Sequence, residues 1–167
     1  TRDLQEIAIK ESPMHAAYVH QAVARHLQDD DILVFDGGDF CHFGRAYYQS
    51  NVENSWWYLP TLGMLGQALP TAMAAKIAYP DRRVIMFTGD GAFGFNGLEY
   101  DTAVRHNIPI VGIMGNDSAW GIDRQIQLGV FGKPVATDLL PSRYDQIVKA
   151  LGGHGELVEH PDELPDA

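Results

Sequence analysis

Cysteine is almost missing from this chain of 167 residues, and its single instance, Cys41, excludes an internal disulfide and any zinc site built on clustered cysteines. A lone cysteine of this kind reads as a small buried hydrophobe. Basic residues are also scarce. Twelve Lys and Arg stand against 22 Asp and Glu, a net charge of -10, which leaves no basic face for a nucleic-acid backbone or an anionic membrane. Long apolar runs are absent too: the stretch from Ile108 to Gly115 falls far short of the roughly 20 residues a membrane span requires. The N-terminal residues lack a charged-then-apolar leader pattern, so a cytoplasmic location is expected. With 46% hydrophobic and 20% charged residues, the chain matches ordinary globular composition and can bury one core, which predicts a single domain over residues 1–167.

What is present is an alternation of short apolar runs with helical periods. Ser12-Pro13 signals a helix start, and Ala16, Val19, Ala22, Val23 and Leu27 recur at helical spacing up to the acidic stop at Asp29 to Asp31. Ile32 to Phe35 suits a strand buried on both faces that delivers Asp36-Gly37-Gly38 to a ligand edge, with a short helix from Asp39. Gly66 to Tyr79 is alanine-rich and helical in period, Pro70 being tolerable in a first turn. Val84 to Phe87 and Ile110 to Met114 read as two further strands. Between them, Asn96 followed by Glu99 resembles a capping box opening a helix that ends near Asn107, ahead of Pro109. Lys133 to Ser142 reads as a loop. Arg143 to Leu151 and Gly155 to Val158 form the last helix and strand pair, and Pro161 to Leu164 the start of another helix. Such alternation implies right-handed crossovers, hence the α/β class: a doubly wound parallel sheet with helices on both faces.

Gly89-Asp90-Gly91 falls where the Val84 strand must end, and Asn116-Asp117 where the Ile110 strand must end, with 24 residues between Gly91 and Asn116. That gap is one crossover. Neighbouring strands of a doubly wound sheet line one crevice with their carboxyl ends, so Asp90 and Asp117 should meet there. Unpaired, the two carboxylates would repel and raise one pKa; Mg²⁺ between them satisfies both and leaves octahedral positions for phosphate oxygens and water. The glycines beside Asp90 allow close backbone approach, and the amides of Gly91 and Ala92 can donate to an anion.

Gly89-Asp90-Gly91, the 24 residues, and Asn116-Asp117 resemble the cofactor motif of the thiamine-diphosphate enzymes, the superfamily of pyruvate decarboxylase, acetolactate synthase and benzaldehyde lyase. The likeness covers nearly the whole chain and includes Asp36-Gly37-Gly38 and Gly63-Met64-Leu65-Gly66-Gln67-Ala68-Leu69-Pro70. It implies the thiamine-diphosphate-binding fold, with thiamine diphosphate and Mg²⁺ as cofactors. Asp90 and Asp117 would ligate the metal by side chain and Ala119 by its carbonyl. Gly38, Asp39, Phe40, Gly63, Met64, Leu65, Gly89, Gly91, Ala92, Trp120, Gly121 and Ile122 would line the cofactor, Gly63 holding the aminopyrimidine through its carbonyl and Leu65 acting as the apolar wedge that keeps the cofactor bent. The chain departs from the family where two asparagines are common and it has Asn116-Asp117. Asp39-Phe40 stands in place of the Gln-His pair of acetolactate synthases, and Ile126 in place of their acceptor-recognising tryptophan. Ser118-Ala119-Trp120-Gly121 is closer to the benzaldehyde lyase and 2-hydroxyacyl-CoA lyase side.

The activating glutamate of the family comes from a separate pyrimidine-binding domain, and no segment here matches it, so no catalytic residue is assigned to this chain. The resemblance is to the last of three domains, which implies a fragment or subunit of a larger enzyme. It further implies a pyrimidine-binding partner domain or subunit, a homo-oligomer (dimer or tetramer), and a small carbonyl substrate or acyl-CoA, with no nucleic acid and no membrane. Three functions stand open: a lyase or decarboxylase component acting on 2-keto acids or 2-hydroxyacyl-CoA, an acetolactate-synthase-type carboligase, and a non-catalytic cofactor-binding or oligomer-forming module. A nucleotide-binding doubly wound domain is the plain alternative, but no G-x-G-x-x-G turn follows the first strand. Among seven histidines, His15, His20 and His26 are expected in solvated or capping roles, and His42 is the one best placed to reach the site. Trp56, Trp57 and Tyr58 suit a subunit interface, and Trp120 either lines the pocket or packs in the core.

Overall fold

The structure is a computed structural model that describes residues 7–58 and 61–167. Four parallel strands form one sheet in the order β2-β1-β3-β4: β1 is Ile32–Phe35, β2 Trp56–Tyr58, β3 Val84–Gly89 and β4 Val111–Gly115. The helices are α1 (Ala16–Ala24), α2 (Asp39–Tyr47), α3 (Ala68–Ala78), α4 (Asp90–Asn96), α5 (Tyr100–Arg105), α6 (Gly121–Phe131) and α7 (Tyr144–Ala150). Strand β1 is buried at all four residues because helices cover both of its faces. Ile32, Val34, Val84 and Met86 pack on Ala68, Leu69, Ala72 and Ala75 of α3. Leu33, Phe35, Ile85 and Phe87 pack on Cys41 and Tyr48, with Val23 and Leu27 of the α1 region behind them. The small alanines of α3 let it lie close on the sheet, while the opposite face is filled by aromatics, Phe35 stacking on Phe87 at 5.0 Å between centroids. No described helix is long and apolar enough to cross a membrane.

The doubly wound parallel architecture is the one expected, and most boundaries fall close to their predicted positions. Four local readings are corrected. Helix α1 starts at Ala16 rather than at Ser12-Pro13, because the ring of His15 accepts the Ala17 amide at 3.1 Å and caps it there. The capping box at Asn96 does not form. The Asn96 side chain instead donates to the Gly66 carbonyl at 2.9 Å, Glu99 takes the Thr102 hydroxyl, and the helical segment opens earlier, at Asp90. Gly155–Val158 is not a strand: Gly155 lies against the backbone of Asp145 in α7, where an added Cβ would sit 2.5 Å from its carbonyl oxygen. Residues 161–164 form turns instead of a helix. The segment Trp56–Tyr58 is an edge strand, Trp56 resting on Phe35 at 4.4 Å between ring centroids.

Candidate functional site

Strands β3 and β4 end in register, Gly89 opposite Gly115, so the residues that follow leave the same edge of the sheet side by side. Asp90 is the first residue of α4 and is only 3% exposed. Its Oδ1 accepts the Gly91 amide at 3.0 Å, whereas its Oδ2 is buried with no hydrogen-bond partner. Burial pushes the Asp90 carboxyl above its ordinary pKa, and the negative charge of Asp117 pushes it the same way. The two acids therefore feel each other across the strand ends, although 26 positions separate them in the chain. Asp117 itself is exposed and lies in a tight turn: Asn116 Oδ1 accepts the Ser118 amide at 3.2 Å, Asp117 Oδ1 accepts the Ala119 amide at 3.2 Å, and Ser118 has φ 54°. That turn is tied sideways to the chain at 137–139, with the Leu139 amide donating to the Ser118 carbonyl at 2.7 Å and the Trp120 amide to the Thr137 carbonyl at 2.8 Å.

Glycines stand where these loops meet. A Cβ on Gly121 would lie 2.8 Å from Asp117 Oδ2 and 3.6 Å from Asp39 Oδ2, which places a third carboxylate beside the first turn of α6. A Cβ on Gly91 would strike the Trp120 ring at 2.9 Å, so the indole lies flat against the Asp90 loop and makes an edge contact with Phe95. Trp120 thus walls the site and packs at once. Gly115 similarly accommodates the ring of Phe40, at 2.4 Å from the Cβ position. Of the predicted trio Gly38-Asp39-Phe40, Asp39 turns its carboxylate toward Asp117 while the Phe40 ring packs inward.

Among the described residues, no three His, Cys, Asp or Glu side chains converge tightly enough to hold a metal by themselves. A cation at this edge would be held by two carboxylates and a backbone carbonyl, with the remaining positions left to ligand oxygens. Such an all-oxygen set suits Mg²⁺, and the buried, unpartnered Oδ2 of Asp90 is the kind of atom a cation satisfies. The residues present fit the group.

A second wall is made by the loop before α3. Leu62 and Gly63 both have positive φ, 68° and 57°, and Leu62 and Met64 project into solvent. Leu65 folds back over Gly37, its Cδ2 2.4 Å from where a Cβ would be. The loop is held from below by Asp36, whose Oδ1 accepts the amides of Gly37 at 2.9 Å and Gly66 at 3.0 Å and whose Oδ2 accepts that of Ala68 at 3.3 Å. Sequence reading treats Asp36 as part of a strand-end turn and misses this role; the only signal was its place directly after a fully apolar strand.

The histidines divide. His15 caps α1, and His42 is exposed on α2, facing the groove that also reaches Asp39 and Gly63. His20 is the exception to the solvated roles expected: it is 0% exposed, Nε2 lying 2.7 Å from the Phe40 carbonyl and Nδ1 2.8 Å from the Tyr48 hydroxyl. Burial lowers its pKa from 6.5 to about 4. Because a carbonyl can only accept, Nε2 carries the proton and Nδ1 accepts from tyrosine.

Fold and site together place the chain among the doubly wound α/β proteins that take ligand at the carboxyl edge of a parallel sheet. The family profile described as "Thiamine pyrophosphate enzyme, C-terminal TPP binding domain" matches residues 36–167, and the chain belongs to that family. Its sequence is 40% identical to the acetolactate synthase large subunit IlvG of Mycobacterium tuberculosis, over 99% of this chain and 31% of that protein. It is 35% identical to 2-hydroxyacyl-CoA lyase 2 of Homo sapiens, over 90% of this chain and 24% of that protein. The fold superimposes on the thiamine diphosphate-dependent 4-hydroxybenzoylformate decarboxylase of Rhodococcus jostii RHA1 with a TM-score of 0.84 and 25% identity, covering 92% of this chain and 29% of that one. The chain spans about a third or less of the length of these relatives.

Proposed function

We propose that this domain holds thiamine diphosphate through one Mg²⁺ bound by the carboxylates of Asp90 and Asp117 and the carbonyl of Ala119, as part of a larger enzyme that breaks a carbon-carbon bond beside a carbonyl in a 2-keto acid or a 2-hydroxyacyl-CoA. The observation that carries this reading is the buried, unpartnered Asp90 Oδ2 set beside Asp117 at adjacent strand ends. When bound, the cofactor supplies a nucleophilic thiazolium carbon and a sink for the electrons of the broken bond. This chain's part is to hold the diphosphate end, to wall it with Trp120, and to present Gly63 and Leu65 to the ring end. The activating glutamate comes from a pyrimidine-binding partner domain or subunit, so the chain alone does not turn over. Exposed Leu62, Met64, Phe95 and Leu98 near this edge support docking against such a partner within a dimer or tetramer.

Carboligation of the acetolactate-synthase type is the second reading, favoured by the 40% identity to a synthase across 99% of the chain. Against it stands Ile126, exposed on α6, where synthases resemble one another in a tryptophan. Product analysis with pyruvate in the assembled enzyme separates the two. The cofactor assignment is tested by titration calorimetry of the chain with thiamine diphosphate and Mg²⁺. Asp117→Asn should retain binding, since an oxygen ligand remains, and Asp90→Ala should abolish it; undiminished binding in Asp90→Ala would overturn the assignment.

A further inference from the structure

We infer that Asp36 is a positioning residue for the loop that receives the ring end of the cofactor, fixing that loop independently of the diphosphate clamp. This rests on the cofactor reading above and assigns its second wall to one buried acid. Asp36 is 1% exposed, and its carboxylate accepts three backbone amides, those of Gly37, Gly66 and Ala68. A carboxylate, which only accepts, satisfies them all; an amide of the same shape could keep its oxygen on Gly37 and Gly66 but would turn an NH₂ toward the Ala68 N–H, and alanine would leave all three amides without an acceptor. The three amides belong to different pieces of structure. Gly37 follows β1, Gly66 closes the loop bearing Gly63 and Leu65, and Ala68 opens α3, so one side chain sets the spacing of strand, loop and helix.

The other side of the same glycine is held as well. The Gly66 carbonyl accepts the Asn96 side chain at 2.9 Å, from the end of the helix that Asp90 begins. Gly66 has φ 81° and no room for a Cβ, Phe95 Cβ standing 2.4 Å from that position. Gly66 therefore has a single seat, with Asp36 on its amide and Asn96 on its carbonyl. Leu65, one residue before, is thereby laid over Gly37. The diphosphate side, Asp90 and Asp117, makes no hydrogen bond to Asp36.

The consequence is a selective defect. In Asp36→Ala, the loop loses its acceptor while the acids at the ends of β3 and β4 are untouched. With Mg²⁺ present, affinity for thiamine diphosphate should fall by about tenfold or more, as expected when buried donors lose their partner, while affinity for inorganic pyrophosphate stays within about twofold of the wild-type chain. Calorimetry of both ligands on both proteins reads the ratio directly, and circular dichroism checks the fold. Should Asp36→Ala not fold, Asn96→Ala, which releases the carbonyl of the same glycine, should show the same preferential loss. Equal losses for the two ligands, or no loss for either, would make Asp36 a merely structural acid and refute the inference. A wild-type chain that binds pyrophosphate and thiamine diphosphate equally well would also refute it, since the loop would then contribute nothing. A wild-type chain that binds neither would overturn the cofactor reading itself, and the role of Asp36 with it.

Discussion

Replacing His20 by glutamine should flatten the acid limb of this domain's stability profile. The neutral ring is fully used in the folded state, Nε2–H donating to the Phe40 carbonyl and Nδ1 accepting from Tyr48, and the rings of Phe40, Phe87 and Tyr48 enclose it. A second proton would need an acceptor where only the tyrosine oxygen is at hand. The folded pKa near 4 lies below the ordinary 6.5, so above pH 6.5 the histidine is neutral in both states and its contribution is intact. As pH falls from about 6.5 to about 4, the unfolded chain takes up a proton that the folded chain refuses, and stability is lost throughout that window. The whole interval amounts to about 3 kcal/mol, and about 2 kcal/mol of it falls between pH 7 and pH 5. His20→Gln should begin about 1–2 kcal/mol less stable at pH 7, for the hydrogen bonds it loses, and then close on the wild type as pH drops. Carboxyls titrating in both proteins, Asp36 and Asp90 among them, cancel in the difference. Urea unfolding at several pH values measures it, and two parallel profiles would refute the argument.

Arg83→Met should cost about 2–4 kcal/mol, because Asp31, almost wholly buried, would keep the Gln28 amide but lose the two-pronged contact of the guanidinium at 2.7 and 2.5 Å; chemical denaturation checks it. Gly91→Ala places a methyl group 2.9 Å from the indole of Trp120, so it should lower stability by about 1–3 kcal/mol and shift tryptophan emission to the red as the ring is pushed outward. An unchanged spectrum would show that the indole does not lie on that loop.

The parts of this fold that could be read from sequence are those whose signal is local. Ile32–Phe35 and the Val84 run announce themselves as strands buried on both faces, and the alanines of α3 keep a helical period that Pro70, in its first turn, does not interrupt. The approach of Asp90 and Asp117 was legible for the same reason: strand ends in a parallel sheet must share an edge, so the two acids could be paired by topology before any distance was known. What escaped depends on partners distant in sequence or on the lack of burial. Helix α6 has no buried residue, although Ile122, Ile126 and Val130 recur in it at helical spacing. Asn96 has the right sequence for a cap, but a carbonyl 30 positions away holds its amide. His20 resembles its exposed neighbours in the sequence, and only the approach of α2 encloses it. The glycine at 155 is drawn to the backbone of α7, and a four-residue segment with two apolar side chains does not outweigh that contact.

The sheet order gives the two acids unequal footing. β3 has a strand on either side, whereas β4 closes the sheet, and Val111 at its start is 53% exposed. Asp90 is consequently a fixed seat, and Asp117 a latch steadied among the described residues by its ties to 137–139. Were the proposed cation site loaded with an ion larger than magnesium, the adjustment would fall on Asp117 at the rim of the sheet rather than on Asp90 in its middle.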